Sequence, residues 1–183
     1  MAPKVKQLLV YEAPNTELGA LSEYFQMARD NRADAISTSW GIVCEFFVNS
    51  QITLAENQIF LQMAFQGQSI FAASGDAGAY GCSRVGFVPP SGQELQIGDP
   101  NNQPYITAVG GTSFRQPNQG TVNFDPGTNS HPTYPGTSKE GTWLEACTTA
   151  SCEGSGGGVS RVWAEPDYAA NFTTGQYLSL IHI

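Results

Sequence analysis

Apolar and polar residues follow two rhythms in the first half of the chain, short continuous apolar runs and helical stripes. KQLLVY (residues 6–11) is an apolar run that stops at the turn residues of EAPNT, so it is predicted as a buried strand. In LGALSEYFQMARD, Leu18, Leu21, Phe25 and Ala28 recur at helical spacing. ADAISTSWG then predicts a strand ending at Gly41. SQITLAENQIFLQMAFQG sets Ile52, Ala55, Ile59 and Met63 on one stripe and ends at Gly67, a residue suited to closing a helix. SIFAAS is the third apolar run. Strand, helix, strand, helix, strand at this spacing predicts an α/β fold with parallel strands joined by right-handed crossovers.

Beyond residue 75 the rhythm fades. Residues 76–103 are rich in Gly, Pro, Ser, Asn and Gln and are predicted as one long loop holding at most a small hairpin. QPYITAVGGTSF restores a single strand. Residues 116–158 are turn-rich again, interrupted only by GTWLEA, and end in EGSGGGVS. Neither a repeat nor a linker divides the chain. The last six residues, LSLIHI (178–183), follow a polar NFTTGQY without helix or turn logic and read as a non-native tail.

Composition narrows the partners. The formal charge is −8 with only eight Lys plus Arg, unclustered, so the basic face that nucleic acid requires is missing. No apolar run reaches the ~18 residues of a membrane span, so no membrane partner is expected. MAPKVKQLLVYEAP has neither an apolar h-region nor a cleavage site, and the natural N-terminus is expected upstream of it. Charged residues make up 13% against abundant neutral polar groups; such a surface loses little when carboxylates protonate, which suits an acidic medium.

Four cysteines invite pairing. Zinc is the competitor, but its usual CxxC or neighbouring His ligands are missing. The reading adopted is two disulfides, Cys44–Cys82 and Cys147–Cys152, with unpaired thiols as the alternative, and hence an oxidising compartment. NFT at Asn171 is a glycosylation sequon of little weight alone.

In open parallel sheets, ligands bind beyond the carboxyl ends of the strands. STSWG (37–41) and ASGDAG (73–78) occupy two such ends. Ser113, in VGGTS, has the look of a nucleophile but lacks a base, since His131 sits in a Pro/Gly/Thr loop and His182 in the tail. It reads as a structural strand-end serine. Asp99 and Asp125, each beside a proline, read as turn residues, and Glu45 as a helix-start residue.

STSWG, FAASGDAGA, PYITAVGGTS and SGGGVSRVW-x-x-P-x-Y, in this order, resemble the sedolisins, the serine-carboxyl peptidases. VYEAPNT resembles the family's strand-to-turn segment, and the likeness runs from about Pro3 to Tyr168. The resemblance implies a subtilisin-like parallel sheet with crossover helices, here incomplete, and a partial catalytic domain over residues 3–177. It implies a secreted, acid-acting endopeptidase with a Ser–Glu–Asp triad, an N-terminal propeptide, peptide or protein substrates and a calcium ion. The triad and the calcium ligands fall in family segments that this chain does not match, so no metal ligand is expected here. Asp76 aligns with the aspartate of the family's oxyanion hole, where a protonated carboxyl donates an O–H to the developing charge. Activity is therefore expected at acid pH, on the order of 3–5. Ser39, Trp40 and Gly41, with Ala73, Ser74 and Gly75, are implied walls of the first specificity pocket. Trp40 as a plain core aromatic is the equal alternative. IGDPNNQ before PYITAVGGT departs from the family's usual F-P-A-S, so cleavage preference does not transfer. A histidine-type subtilisin relative and a non-catalytic α/β binding domain or pseudopeptidase are the competing readings.

Overall fold

The computed structural model describes residues 4–84, 95–114, 140–143 and 153–164. Helix α1 spans Glu17–Asp30. Its start is fixed by Thr16, whose hydroxyl accepts from Gly19 N at 3.0 Å, and its end by Asn31 in the left-handed region, which donates its N–H to Met27 O. Strand β1 (Ala35–Thr38) follows, then a single turn of 3-10 helix at Glu45–Phe47. Helix α2 (Ser50–Phe65) is capped by the Asn49 side chain and leads into β2 (Ser69–Ala73). At its end Gly67, with φ +80°, lets Gly67 N reach Ala64 O and Gln68 N reach Met63 O, the paired bonds of a Schellman stop. A short helix α3 (Gly81–Arg84) and strands β3 (Thr107–Val109), β4 (Thr112–Phe114) and β5 (Glu140–Thr142) complete the described elements.

The sheet order is β1-β2-β3, parallel throughout, with Ile36 beside Ile70 and Ala72 beside Ala108. The predicted parallel α/β arrangement is therefore present, with α2 as the crossover from β1 to β2. Ile36, Ile70, Ala72 and Ile106 pack with Ala20, Tyr24 and Ala28 of α1 and Phe60 and Met63 of α2. The Tyr24 and Phe60 rings meet edge to face, 4.9 Å between centroids. The opposite sheet face, with Phe71 and Val109, stays exposed among the described residues.

Three expectations need correction. KQLLVY forms no strand; it pairs with no ladder and leaves Leu8 79% exposed, because an apolar run becomes a strand only where a neighbour supplies hydrogen bonds. On α1 the buried stripe is Ala20, Tyr24 and Ala28, while Leu18 and Phe25 face outward. On α2 it is Thr53, Glu56, Asn57, Phe60 and Met63, with Ile52, Ala55 and Ile59 only half-buried. Helical spacing gives a stripe's period, whereas its direction depends on the surface it meets. Finally, QPYITAVGGTSF is two strands: β3 joins the parallel sheet, and β4 pairs antiparallel with β5. The break falls at Gly110–Gly111, where Gly111 donates to Ser155 Oγ at 2.7 Å and accepts from Trp143 N at 2.9 Å.

Candidate active site

Four chain segments converge beyond the carboxyl ends of β1 and β2. After β1 the chain runs through Ser39, Trp40 and Gly41, and after β2 through Ser74, Gly75 and Asp76. Residues 96–103 and 153–158 close the remaining sides. Between them lies a cavity of about 520 Å³. Ser39, Trp40, Gly41, Ala73, Ser74, Gly75 and Asp76, the seven positions singled out in the sequence, all line it. Its other ionisable liners are Asp99 and Glu153.

Backbone pairing holds each wall. Ser74 N donates to Val109 O at 2.9 Å, extending the β2–β3 ladder past Ala73. Gly75 then turns at φ +96°, a conformation that glycine adopts without strain. The SGGG stretch runs beside this turn: Gly154 N donates to Asp76 O at 2.9 Å and Gly156 N to Gly75 O at 2.8 Å. On the other side Ile42 and Asp99 exchange backbone hydrogen bonds of 2.8 and 3.0 Å. Glu45 N adds a bond to Ile97 O at 3.1 Å. The predicted Cys44–Cys82 disulfide is formed between two fully buried residues, tying the Glu45–Phe47 turn to α3. Cys147, Cys152, Asp125, His131, Asn171 and His182 lie outside the described residues, as does the 178–183 tail.

Trp40 lies between the core and the cavity. Its half-buried ring packs against the core, its Nε1 donates to Asn15 Oδ1 at 3.0 Å, and the residue still lines the cavity. Ser113 is a β4 residue whose backbone is in register with Gly141.

A polar layer beneath the cavity was not foreseen. Glu45 does head the 3-10 turn, but it is also buried and acts as a hub. Its Oε2 accepts from Asn102 Nδ2 at 2.9 Å and Ser160 Oγ at 2.7 Å, and its Oε1 from Arg161 N at 2.7 Å. Asn101 Nδ2 donates to Ser74 O at 2.9 Å. Gln103 Nε2 donates to Asp99 Oδ1 at 3.0 Å and to Thr53 O at 3.2 Å, while its Oε1 accepts from Asn57 Nδ2. Asp99 is therefore more than the turn residue expected, since its side chain is buried against α2. Burial, then the neighbouring Asp99 carboxyl, pushes the Glu56 carboxyl up to about 9. Burial likewise raises Asp99, against the lowering effect of hydrogen bonds from Glu56 and Gln103. The signal available in the sequence was the run Asn101-Asn102-Gln103 after Asp-Pro, together with polar positions 53, 56 and 57 on one side of α2.

Among the described residues, no three His, Cys, Asp or Glu side chains are grouped so that they could hold a metal ion.

No family model matches the chain. Sedolisin of Pseudomonas sp. (strain 101) is 40% identical over 114 residues, covering 60% of this chain and 19% of that protein. Xanthomonalisin of Xanthomonas sp. (strain T-22) is 27% identical over 95% of this chain and 23% of its own length. Kumamolisin of Bacillus sp. (strain MN-32) is 29% identical over 92% of this chain and 26% of its own. The chain thus spans about a fifth to a quarter of the curated relatives it matches. Among solved structures, Pseudomonas sedolisin, a serine-carboxyl proteinase complexed with two molecules of pseudo-iodotyrostatin, superimposes with a TM-score of 0.69. That match has 28% identity and covers 93% of this chain and 43% of the other.

Proposed function

The chain is a relative of the sedolisins, with their subtilisin-like α/β arrangement, and from that premise we propose that it supplies the substrate cleft and the oxyanion-hole acid of a serine-carboxyl endopeptidase. The observation that carries the proposal is the position of Asp76. It follows β2 at the carboxyl end of a parallel sheet, on the wall of a cavity shared with Ser39–Gly41 and Ala73–Gly75.

In this reading an extended peptide lies between the two wall segments, with one side chain in the cavity. Attack on the scissile carbonyl moves charge onto its oxygen. A protonated Asp76 donates an O–H to that oxygen, whereas an ionised one offers only acceptors and repels it. Acid pH thus favours turnover. The nucleophilic serine and the Glu and Asp that activate it belong to a longer protein, outside these 183 residues. Ser113 is read as a structural strand-end serine in VGGTS and not as that nucleophile, since a nucleophilic serine needs a base within hydrogen-bond reach. The reading also carries a propeptide upstream and secretion into an acidic medium. The Cys44–Cys82 disulfide accords with an oxidising compartment.

In a longer protein that carries the triad, Asp76→Ala should lower kcat by about 10²–10³, the usual effect of losing one oxyanion donor. Asp76→Asn, which retains a donor, should lose less. A drop below tenfold for Asp76→Ala, measured with a peptide substrate near pH 4, would overturn the assignment. The 183-residue chain by itself should leave casein uncut at the same pH. Asp76→Ala with no effect, in a protein cleaving peptides through another site, would favour the non-catalytic binding module.

A further inference from the structure

Glu56 belongs to the buried side of α2, 0% exposed, and Asp99 belongs to the cavity wall, 1% exposed. Gln103 binds them into one layer. Its Nε2 holds Asp99 Oδ1 while also reaching Thr53 O, and its Oε1 accepts from Asn57. Thr53 and Asn57 flank Glu56 on the buried side of the same helix. Asp99 is thereby held against the turn of α2 that carries Glu56.

Three oxygens in this layer, both of Glu56 and Oδ2 of Asp99, have no hydrogen-bond donor. The two carboxyls are nevertheless within hydrogen-bonding reach of each other. As two carboxylates they would be acceptors facing acceptors, shielded from bulk solvent, at a cost that folded proteins avoid. One proton changes this, because a protonated carboxyl donates and its ionised neighbour accepts. The charged groups bearing on the pair do not relieve it: Glu17 of α1 and Glu45 of the 3-10 turn are acidic. Tyr24 of α1 directs its hydroxyl to Thr38 Oγ1, and across the cavity the ionisable liners are Asp76 and Glu153.

We propose that Glu56 and Asp99 share one proton, and that this protonated pair clamps the 97–103 wall of the cavity onto α2, so that the wall is closed in acid and opens as the proton is lost. The clamp does not depend on the peptidase reading, since it needs only groups of this chain.

The sign follows from the raised carboxyl. Burial, then the neighbouring Asp99 carboxyl, pushes Glu56 from the ordinary carboxyl value near 4 up to about 9 in the closed wall. The closed form is therefore fully favoured below about pH 4, and the advantage is lost as pH rises toward the closed-state value. In between, the closed form holds one more proton, and opening becomes about tenfold easier per pH unit.

Hydrogen exchange at the Ile42, Asp99 and Gln103 amides, each bonded within or across this wall, reads the opening directly. In the full chain their protection factors, corrected for intrinsic rates, should fall about 100-fold from pH 5 to pH 7. Glu56→Gln supplies a permanent donor to Asp99 and should flatten that fall to within about threefold, as should Asp99→Asn. If one variant fails to fold, the other decides. Protection independent of pH in the unmodified chain, or an unchanged slope in the amide variants, would overturn the clamp and leave the role of Asp76 untouched.

Discussion

At Gly156 an added β-carbon would run into the Ser74 carbonyl and come within 3.1 Å of Gly75 O. The first glycine of SGGG is thus a spatial requirement of the wall that carries Asp76. Gly156→Ala should destabilise by about 1–3 kcal/mol, the range for overpacking a close contact. The shift in urea midpoint would measure it, and a midpoint equal to the parent's would contradict the packing. Other residues show how differently individual roles can be read. Asp76, Ser39 and Gly75 stood out because turn chemistry at a strand end is a local property. Glu56 did not, because a glutamate inside a helical pattern reads as a solvated position until the facing Asp99 is known.

Between elements, the Cys44–Cys82 bond joins the start of the 3-10 turn to α3 across 38 residues of sequence. Those residues include all of α2 and β2, so the crosslink removes much of the open chain's freedom. By loop entropy it contributes about 4 kcal/mol, in the usual range for a native disulfide. Cys44→Ser with Cys82→Ser should lower the urea midpoint accordingly, and an unchanged midpoint would show that the turn and α3 are held by packing alone. Helices and strands also differ in what their patterns transmit. Helix α2 stops at Gly67 as its sequence predicts, yet both helices turn toward the core a side rotated from the predicted stripe, with only Ala28 and Met63 common to the two. Leu18 and Phe25 face outward because α1 meets its neighbours through Ala20, Tyr24 and Ala28, where the Tyr24 ring packs edge to face on Phe60.

The whole molecule carries an unusual load of exposed apolar surface among its described residues. Phe65 is 85% exposed, and Leu8, Val10, Leu18 and Leu54 are also largely in solvent. Phe71 and Val109 lie on the uncovered face of a parallel sheet, an element normally buried on both faces. The 183-residue chain should therefore bind a hydrophobic dye such as ANS in its folded state and melt over a broad range. A sharp cooperative melt above about 65 °C without dye binding would contradict this.

What the amino-acid sequence determined by itself was local: the two helices and the strands β1 and β2 that alternate with them, the stop at Gly67, the parallel connection, and the Gly- and Asp-bearing turns beyond β1 and β2. These depend on residue types within a few positions of one another. Tertiary structure decided which apolar run found a strand partner, which side of each helix met the sheet, and where Gly110–Gly111 divides one run into two strands. It also decided that a glutamate of α2 and an aspartate of a distant loop are buried together. Hydrogen-bond partners and solvent exclusion come from segments far apart in the chain, so no local pattern specifies them.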